Sequence, residues 1–295
     1  MSAPLVSVIL VYFNDRPHLI SCLESIEAAG RDVALEAILV DNASTDGGLE
    51  DAAAFPSVRI IRNEDNPGFG AANNRGARES RGEFLLFLNT DAVLQPGAAA
   101  ALLEAMKADE RTAAAGPLLF SEGGKIQVSF GNRVDFGGQL VQKFIKNPLT
   151  ARALRRRPRG AEAGWLSAAC LLCRRGAFES ASGFDERFFL YFEDIDLCFR
   201  LRKAGGRLRF VPEARVFHAG GATTRRRPRE SRLEYRKSQL LFYRKHASPA
   251  SLRLLRLSLR VHLGLMRILG RFRGEDGRAL RAAFRELLKP DRGIP

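Results

Sequence analysis

The chain is poor in cysteine, histidine, methionine and tryptophan, with four, four, three and one among 295 residues. So few cysteines give no dense disulfide framework, and Cys22, Cys170, Cys173 and Cys198 all stand in apolar or helical surroundings. Cys170-Leu171-Leu172-Cys173 has the spacing of half a zinc site, but no second pair follows, so a buried strand or helix segment is the preferred reading. Nothing demands an oxidising compartment. No run reaches the roughly 18 apolar residues that would span a bilayer. The first apolar run lacks a preceding basic region and is closed by Asn14-Asp15-Arg16-Pro17, which suits a strand rather than a signal peptide. The Walker lysine loop and the G-x-S-x-G nucleophile elbow are both missing. Gly68-Phe69-Gly70-Ala71-Ala72-Asn73 ends on Asn where a dinucleotide fingerprint has its last glycine. Its glycines suit a loop passing close to ligand or to neighbouring backbone.

Acidic charge is also scarce, but only in one place. The formal net charge is +14, from 47 Lys and Arg against 33 Asp and Glu. Residues 225–295 hold 20 of the basic and 6 of the acidic residues, which leaves 27 of each sign in residues 1–224. The body is formally neutral and the appended segment carries the whole excess. That break places a boundary near 225 and suggests a separate interaction role for 225–295. With 45% hydrophobic residues, the rest is large enough to bury a full core.

Periodicity gives the architecture. Val6–Tyr12 is an uncharged run rich in β-branched residues and predicts a buried strand. Leu19, Leu23 and Ile26 give a helical rhythm over 17–29, with Gly30 as the stop. Leu35–Val40 and Val58–Ile61 predict strands, 70–81 a helix, Phe84–Leu88 a strand, and the alanine-rich stretch after Pro96 another helix. This alternation predicts an α/β fold with a mostly parallel central sheet flanked by helices. Between 116 and 164 the periodicity weakens. Gly123-Gly124, Gly131 and Gly137-Gly138 suggest strands and exposed loops, and Arg155–Arg159 a solvated loop or a charged lid.

In such sheets ligands meet the carboxyl ends of the strands. Polar residues collect there: Asn14 and Asp15, then Asp41-Asn42-Ala43-Ser44-Thr45-Asp46, then Asn63 to Gly70, then Asn89-Thr90-Asp91. Each alone reads as a turn or helix cap, but four successive clusters fit a shared polar crevice better. A second concentration follows about 100 residues later, where Glu193, Asp194 and Asp196 succeed an aromatic run. Three acids in four residues suit either the positive end of a helix or a chemical task. Two acidic sites allow two jobs. One aspartate can hold a hard divalent cation against a departing diphosphate, and another carboxylate can take a proton from an attacking hydroxyl.

Ser7–Asn14, Val40–Gly47, Asn66–Gly76, Leu88–Asp91 and Glu193–Leu197, in this order and spacing, resemble the GT-A family of inverting glycosyltransferases often called family 2. Within it the likeness is greatest to bacterial rhamnosyltransferases of cell-surface polysaccharide synthesis, and it runs from about residue 5 to 245. The resemblance implies a GT-A nucleotide-diphospho-sugar transferase domain over 1–224 and a basic helical C-terminal extension over 225–295. It implies that Asp41 binds the base or ribose region, with Asn14, Asn42 and Ser44 lining the same pocket, and Asn73 and Asp46 near the donor. Asn89-Thr90-Asp91 takes the place of the family's Asp-x-Asp element, leaving Asp91 as its carboxylate ligand to Mg²⁺ or Mn²⁺. His218 resembles the family's late histidine near metal or diphosphate; a structural hydrogen bond is the alternative. Asp194 would be the general base and Glu193 its rival, with Asp196 and Arg200 supporting the helix through their four-residue spacing. Trp165, Ser167 and Ala169 fall on the acceptor side; Trp165 reads equally as core or sugar-stacking, and Ala169 stands where relatives often have glycine. The implied donor is thymidine-diphosphate rhamnose, with uridine-diphosphate hexoses as runner-up, and the implied acceptor is a glycan or lipid-linked saccharide.

In the extension, Arg253, Arg256, Arg260, Arg267 and Arg271 make one stripe of a helix over 251–273, beside Leu254, Leu255, Leu257, Leu259, Val261, Leu265, Met266, Ile268 and Leu269. This pattern suits an anionic membrane surface, or packing against the body or a second subunit of a homo-oligomer. Charge alone also suggests a non-catalytic polymer-binding protein, but no nucleic-acid-binding signature accompanies it. The expected location is the bacterial cytoplasm, at the inner face of the cytoplasmic membrane.

Overall fold

The computed structural model describes residues 5–131, 161–220, 228–268 and 284. Gly137-Gly138, Arg155–Arg159, Leu269 and Arg271 lie outside the described residues, as do the side chains of Met266, Arg267 and Ile268. The chain divides into two compact units, one of 1–189 with 193–222, the other of 190–192 with 223–295.

The first unit is built on the predicted alternation. Its elements are β1 (Val6–Tyr12), α1 (Arg16–Ala29), β2 (Leu35–Asp41), α2 (Gly48–Ala52), β3 (Val58–Arg62), α3 (Phe69–Glu79), β4 (Phe84–Asn89), β5 (Ala92–Leu94) and α4 (Ala98–Lys107). There follow β6 (Thr112–Phe120), β7 (Phe130–Gly131), β8 (Ala161–Glu162), β9 (Trp165–Leu166), β10 (Cys170–Arg174), α5 (Arg175–Ser180), α6 (Glu193–Lys203) and β11 (Arg207–His218). The main sheet runs β3-β2-β1-β4-β10-β6-β11-β5, with β8 on β11, while β7 and β9 form a separate pair. The strands β3, β2, β1 and β4 are parallel, as the crossover helices require. β10 then enters antiparallel between β4 and β6, so the sheet is mixed beyond its first half.

The uncharged strands are buried on both faces. Val8, Leu10, Leu86 and Leu88 pack on Leu19, Leu23 and Ile26 of α1 and on Leu102 and Met106 of α4. On the other face Ile9, Leu85, Phe87 and Leu171 meet Phe178, Phe184 and Leu201. Burying each such side chain contributes about 1.5–3 kcal/mol. Two details differ from expectation. Gly30 caps α1 with an ordinary right-handed backbone (φ −64°), so α1 does not end through a left-handed glycine. The nine-residue strand β6 crosses the stretch where periodicity weakens at 116.

In the second unit α7 (Pro228–His246) packs on α8 (Pro249–Ile268). Its short piece Leu190–Phe192 lies on α7: Ser238 Oγ donates to the Leu190 carbonyl at 2.8 Å, and Phe192 meets Tyr235 and Phe242 ring to ring. Tyr191 and Phe192 both hold left-handed backbone, φ 68° and 69°. For bulky aromatics this is strained, at a cost of about 1–3 kcal/mol each. The strain sits immediately before the acidic helix.

Candidate functional site

The strand ends bring the predicted polar residues into hydrogen-bonded groups. After β1, Asn14 (φ 51°) takes a left-handed turn; its N–H donates to Ser44 Oγ at 3.1 Å, and its Oδ1 accepts from Thr45 N–H at 2.8 Å. Asp41, buried at the end of β2, accepts from Ser44 N–H at 3.0 Å. The two loops therefore hold each other through Asn14, Asp41 and Ser44.

Asn42 is the hub of an amide network. Its Nδ2 donates to Asn66 Oδ1 at 3.0 Å, and its Oδ1 accepts from Asn63 Nδ2 at 2.7 Å. Arg75 of α3 donates to Asn63 and to the Arg62 carbonyl. Gly68 (φ 96°) closes this loop so tightly that a Cβ there would stand 2.5 Å from the Phe189 carbonyl. That closeness, not phosphate wrapping, is what the glycine serves here.

Asp46 and Asn73 are engaged locally. Asp46 accepts from the Tyr12 hydroxyl, from Arg16 N–H at 2.8 Å and from Gly48 N–H at 3.2 Å. Asn73 is buried inside α3, where Nδ2 donates to the Phe69 carbonyl at 3.0 Å. Asp46 holds its loop to β1 and α1, and Asn73 braces the first turn of α3.

Asp91 and His218, 127 residues apart, are brought together because β5 pairs with the end of β11, Ala92 opposite His218. His218 Nε2 stands 3.2 Å from Asp91 Oδ1 and 3.3 Å from Asn89 Nδ2. Its other nitrogen is fixed by Gln127. Gln127 Nε2 donates to the His218 carbonyl at 2.7 Å, which orients the amide so that its Oε1 accepts from Nδ1–H at 2.7 Å. Nε2 is therefore the ring nitrogen turned toward Asn89 and Asp91. Burial would raise the Asp91 carboxyl, but the hydrogen bond and charge of His218, the charge of His18 and the Gly220 N–H outweigh it, and the net direction is downward. Asp91 is therefore an anion at neutral pH. Thr90 Oγ1 donates to Asp15 Oδ2 at 3.1 Å, and Asp15 also pairs with His18 at 2.7 Å. Asp15, Asn63 and Asn66, members of the strand-end polar clusters with no role assigned to them individually, carry the network together with Gln127, which had no distinguishing mark in the sequence.

The second acidic station adjoins the first. Asn89 N–H donates to the Ala169 carbonyl at 3.0 Å, and the neighbouring Ala168 N–H donates to Asp194 Oδ2 at 3.2 Å. Asp194 Oδ1 accepts from Ile195 N–H at 2.7 Å. The Asp194 carboxyl is raised by burial, which its backbone donors offset only in part. Glu193 is raised further, first by burial and then by the charge of Asp194, and its Oε2 has no hydrogen-bond partner among the described residues. Asp196 is fully buried and pairs with Arg200 at 2.7 Å, the supporting role its spacing implies. Ser167 Oγ accepts from Ala169 N–H at 3.3 Å. Trp165 is buried with Phe130, Leu166 and Phe210, which places it in the core. The four cysteines are buried free thiols; burial pushes Cys198 up to about 12 and the other three higher still.

The chain matches the glycosyl transferase family 2 model over residues 7–181. It is 35% identical over 254 residues to N-acetylglucosaminyl-diphospho-decaprenol L-rhamnosyltransferase of Mycobacterium tuberculosis, covering 80% of this chain and 82% of that one. It is 34% identical to the O-antigen biosynthesis protein RfbC of Myxococcus xanthus, over 75% of this chain and 18% of that one. Among solved structures, the mannosyltransferase PcManGT of Pyrobaculum calidifontis, crystallised with GDP-mannose and Mn²⁺, superposes with a TM-score of 0.59 at 16% identity, over 98% of this chain and 86% of that one. GalNAc-T7 with UDP, GalNAc and Mn²⁺ gives a TM-score of 0.59 at 20% identity, over 74% of this chain and 44% of that one. These structures agree with the GT-A-like sheet, and the two sequence matches, one over more than half the chain and one over four-fifths of it, show that the chain belongs to glycosyl transferase family 2.

Proposed function

We propose that this protein transfers L-rhamnose from a thymidine-diphosphate donor to a hydroxyl of a lipid-linked or glycan saccharide, with inversion at the anomeric carbon. The observation that carries the reading is the tie between the two acidic stations. Two hydrogen bonds, Asn89 N–H to the Ala169 carbonyl and Ala168 N–H to Asp194, tie the loop that carries Asp91 to the base candidate, which supports the two acting at one centre. Rhamnose and a lipid-linked acceptor are favoured by the name of the mycobacterial relative, which is similar over most of both chains.

Asp194 suits the base better than Glu193. Its two oxygens are held by backbone N–H groups, which fixes the carboxylate, and it is less buried than Glu193. Its raised affinity for a proton makes it a stronger acceptor than an ordinary aspartate. It would take the acceptor hydroxyl's proton as that oxygen attacks the anomeric carbon from the face opposite the diphosphate. The new carbon–oxygen bond forms as the old one breaks, and the nucleoside diphosphate leaves. Asp41, Asn14, Asn42 and Ser44 would line the nucleotide side, since their loops are already mutually held.

Asp91 and His218 fit a hard divalent cation as two of its ligands. Asp91 is anionic, and with Nδ1 held by Gln127 it is Nε2, on the Asp91 side, that would turn to a cation. Among the described residues no group of three or more His, Cys, Asp or Glu gathers, so the remaining positions would fall to donor oxygens and water. Bound Mg²⁺ or Mn²⁺ would stabilise negative charge on the departing diphosphate.

The test is a panel of nucleotide sugars, scored by thermal protection and by transfer to lipid-linked and free saccharide acceptors, with and without Mg²⁺ or Mn²⁺. Protection and transfer specific to thymidine-diphosphate rhamnose are expected. Preference for a uridine-diphosphate hexose would overturn the donor, and full transfer by folded Asp194→Asn would overturn the base.

A further inference from the structure

We propose that the outer face of α8 is a docking surface for an anionic lipid bilayer. The sequence pattern alone mixes the apolar residues of this helix together, and the structure separates them. Leu255 and Leu259 are buried, whereas Leu254, Leu257, Val261 and Leu265 are each more than half exposed. The exposed four are spaced three, four and four apart, so they line one side of the helix. They account for four of the seven large hydrophobic side chains exposed among the described residues, which makes this a patch rather than scattered surface leucines.

Charge decides what fits it. Arg253, Arg256 and Arg260 each precede one of the exposed apolar residues by a single position, so a basic stripe runs beside the apolar one, about a quarter-turn away. The twenty residues of α8 contain no Asp or Glu. An apolar stripe bordered by arginine and lacking acid is complementary to acyl chains beneath anionic headgroups. An antiparallel second copy of the same face would bring arginines against arginines, and a parallel one would leave them without a counter-charge on α8. No helix among the described residues is long and apolar enough to cross a membrane, so the contact is one of lying on the surface. It goes beyond the proposed reaction, giving the enzyme a place at a surface where lipid-linked saccharides reside.

The test uses the full chain and needs neither donor nor acceptor, so its failure leaves the reaction standing. Co-sedimentation is measured with vesicles of phosphatidylcholine and with equimolar phosphatidylcholine and phosphatidylglycerol. Binding is expected to the anionic vesicles only, and to weaken with salt. Replacing Leu254, Leu257, Val261 and Leu265 together by Ser should abolish it while circular dichroism and gel-filtration volume stay unchanged. Arg253→Gln, Arg256→Gln and Arg260→Gln combined should lower it by roughly tenfold or more. Equal binding to neutral vesicles, retained binding by the serine variant, or dimers that the serine variant dissociates without any vesicle binding would each overturn the proposal. So would preference for duplex nucleic acid over anionic vesicles at equal salt.

Discussion

Replacing Glu193 by Gln tests whether the acidic helix holds a carboxyl under strain. Glu193 is buried, with one oxygen lacking a partner among the described residues and the Asp194 carboxyl next to it. Burial and that neighbouring charge both raise its proton affinity. The unfolded chain releases this proton near the ordinary value of about 4.3, while the folded chain keeps it to higher pH. Between the two values the folded state binds the extra proton. The stabilisation is thus fully present below the unfolded value and is lost as pH rises toward the folded one. The slope is up to about 1.4 kcal/mol per pH unit for one proton. Glutamine has nearly the same volume and no titration. Glu193→Gln should therefore gain stability relative to the parent as pH is raised from about 4, with a difference that grows until the folded value is passed. Asp194 titrates in both proteins; losing its repulsion with Glu193 in the variant adds to the difference without changing its sign. Urea unfolding of both chains at a series of pH values gives the difference directly. Parallel stability curves would refute the reasoning, and a parent that gains on the variant with rising pH would reverse its sign.

Tyr12→Phe keeps the buried ring but removes the hydroxyl that donates to Asp46; the loss should be roughly 1.5–3 kcal/mol by urea unfolding, with the donor KM rising more than kcat falls. A change under about 0.5 kcal/mol would mean the contact does not hold the loop. Gln127→Leu removes the acceptor for His218 Nδ1–H, and calorimetric titration with Mn²⁺ in the presence of nucleoside diphosphate should show affinity lowered about 10–100-fold. The kcat/KM profile should lose activity as pH falls through the Asp194 value, with that limb lying above the ordinary aspartate range because burial raises it. In Asp194→Asn the rate should drop by about 10²–10⁴ with the fold intact by circular dichroism.

The strands legible in the sequence were those whose environment is uniform. β1 and β2 lie between parallel neighbours and β4 between a parallel and an antiparallel one, all three buried on both faces, and a run of apolar residues states that directly. β6 is as central, yet reads Thr-Ala-Ala-Ala-Gly-Pro-Leu-Leu-Phe. Its composition answers a constraint from distant residues: a Cβ at Gly116 would stand 2.9 Å from the Leu166 side chain of β9. Pro117 is tolerated because β10 pairs only as far along β6 as Ala115, leaving the proline to face β11 alone. Small residues demanded by a neighbour some 50 positions away look, locally, like weak periodicity.

For the site, residue types were legible and partners were not. Asp91, His218 and Asp194 stand out as acids and a histidine at the ends of apolar runs, but the pairing of Asp91 with His218 depends on β5 reversing onto β11. Asp46 and Asn73 carry equally suggestive chemistry, and the bonds seen hold a loop in the one case and the first turn of α3 in the other. Asn89 is the instructive case, because by resemblance it replaces a first acid. Its amide nitrogen lies 3.3 Å from His218 Nε2, on the side where Asp91 Oδ1 also lies at 3.2 Å. A carboxylate at 89 would set a second negative group beside Asp91 at the same ring nitrogen. An amide adds no charge there, so Asp91 remains the one anion beside the ring. The proposed cation site would thus carry one negative charge fewer than the family's Asp-x-Asp element, and the donor's own phosphates would make up a larger share of the ligand set.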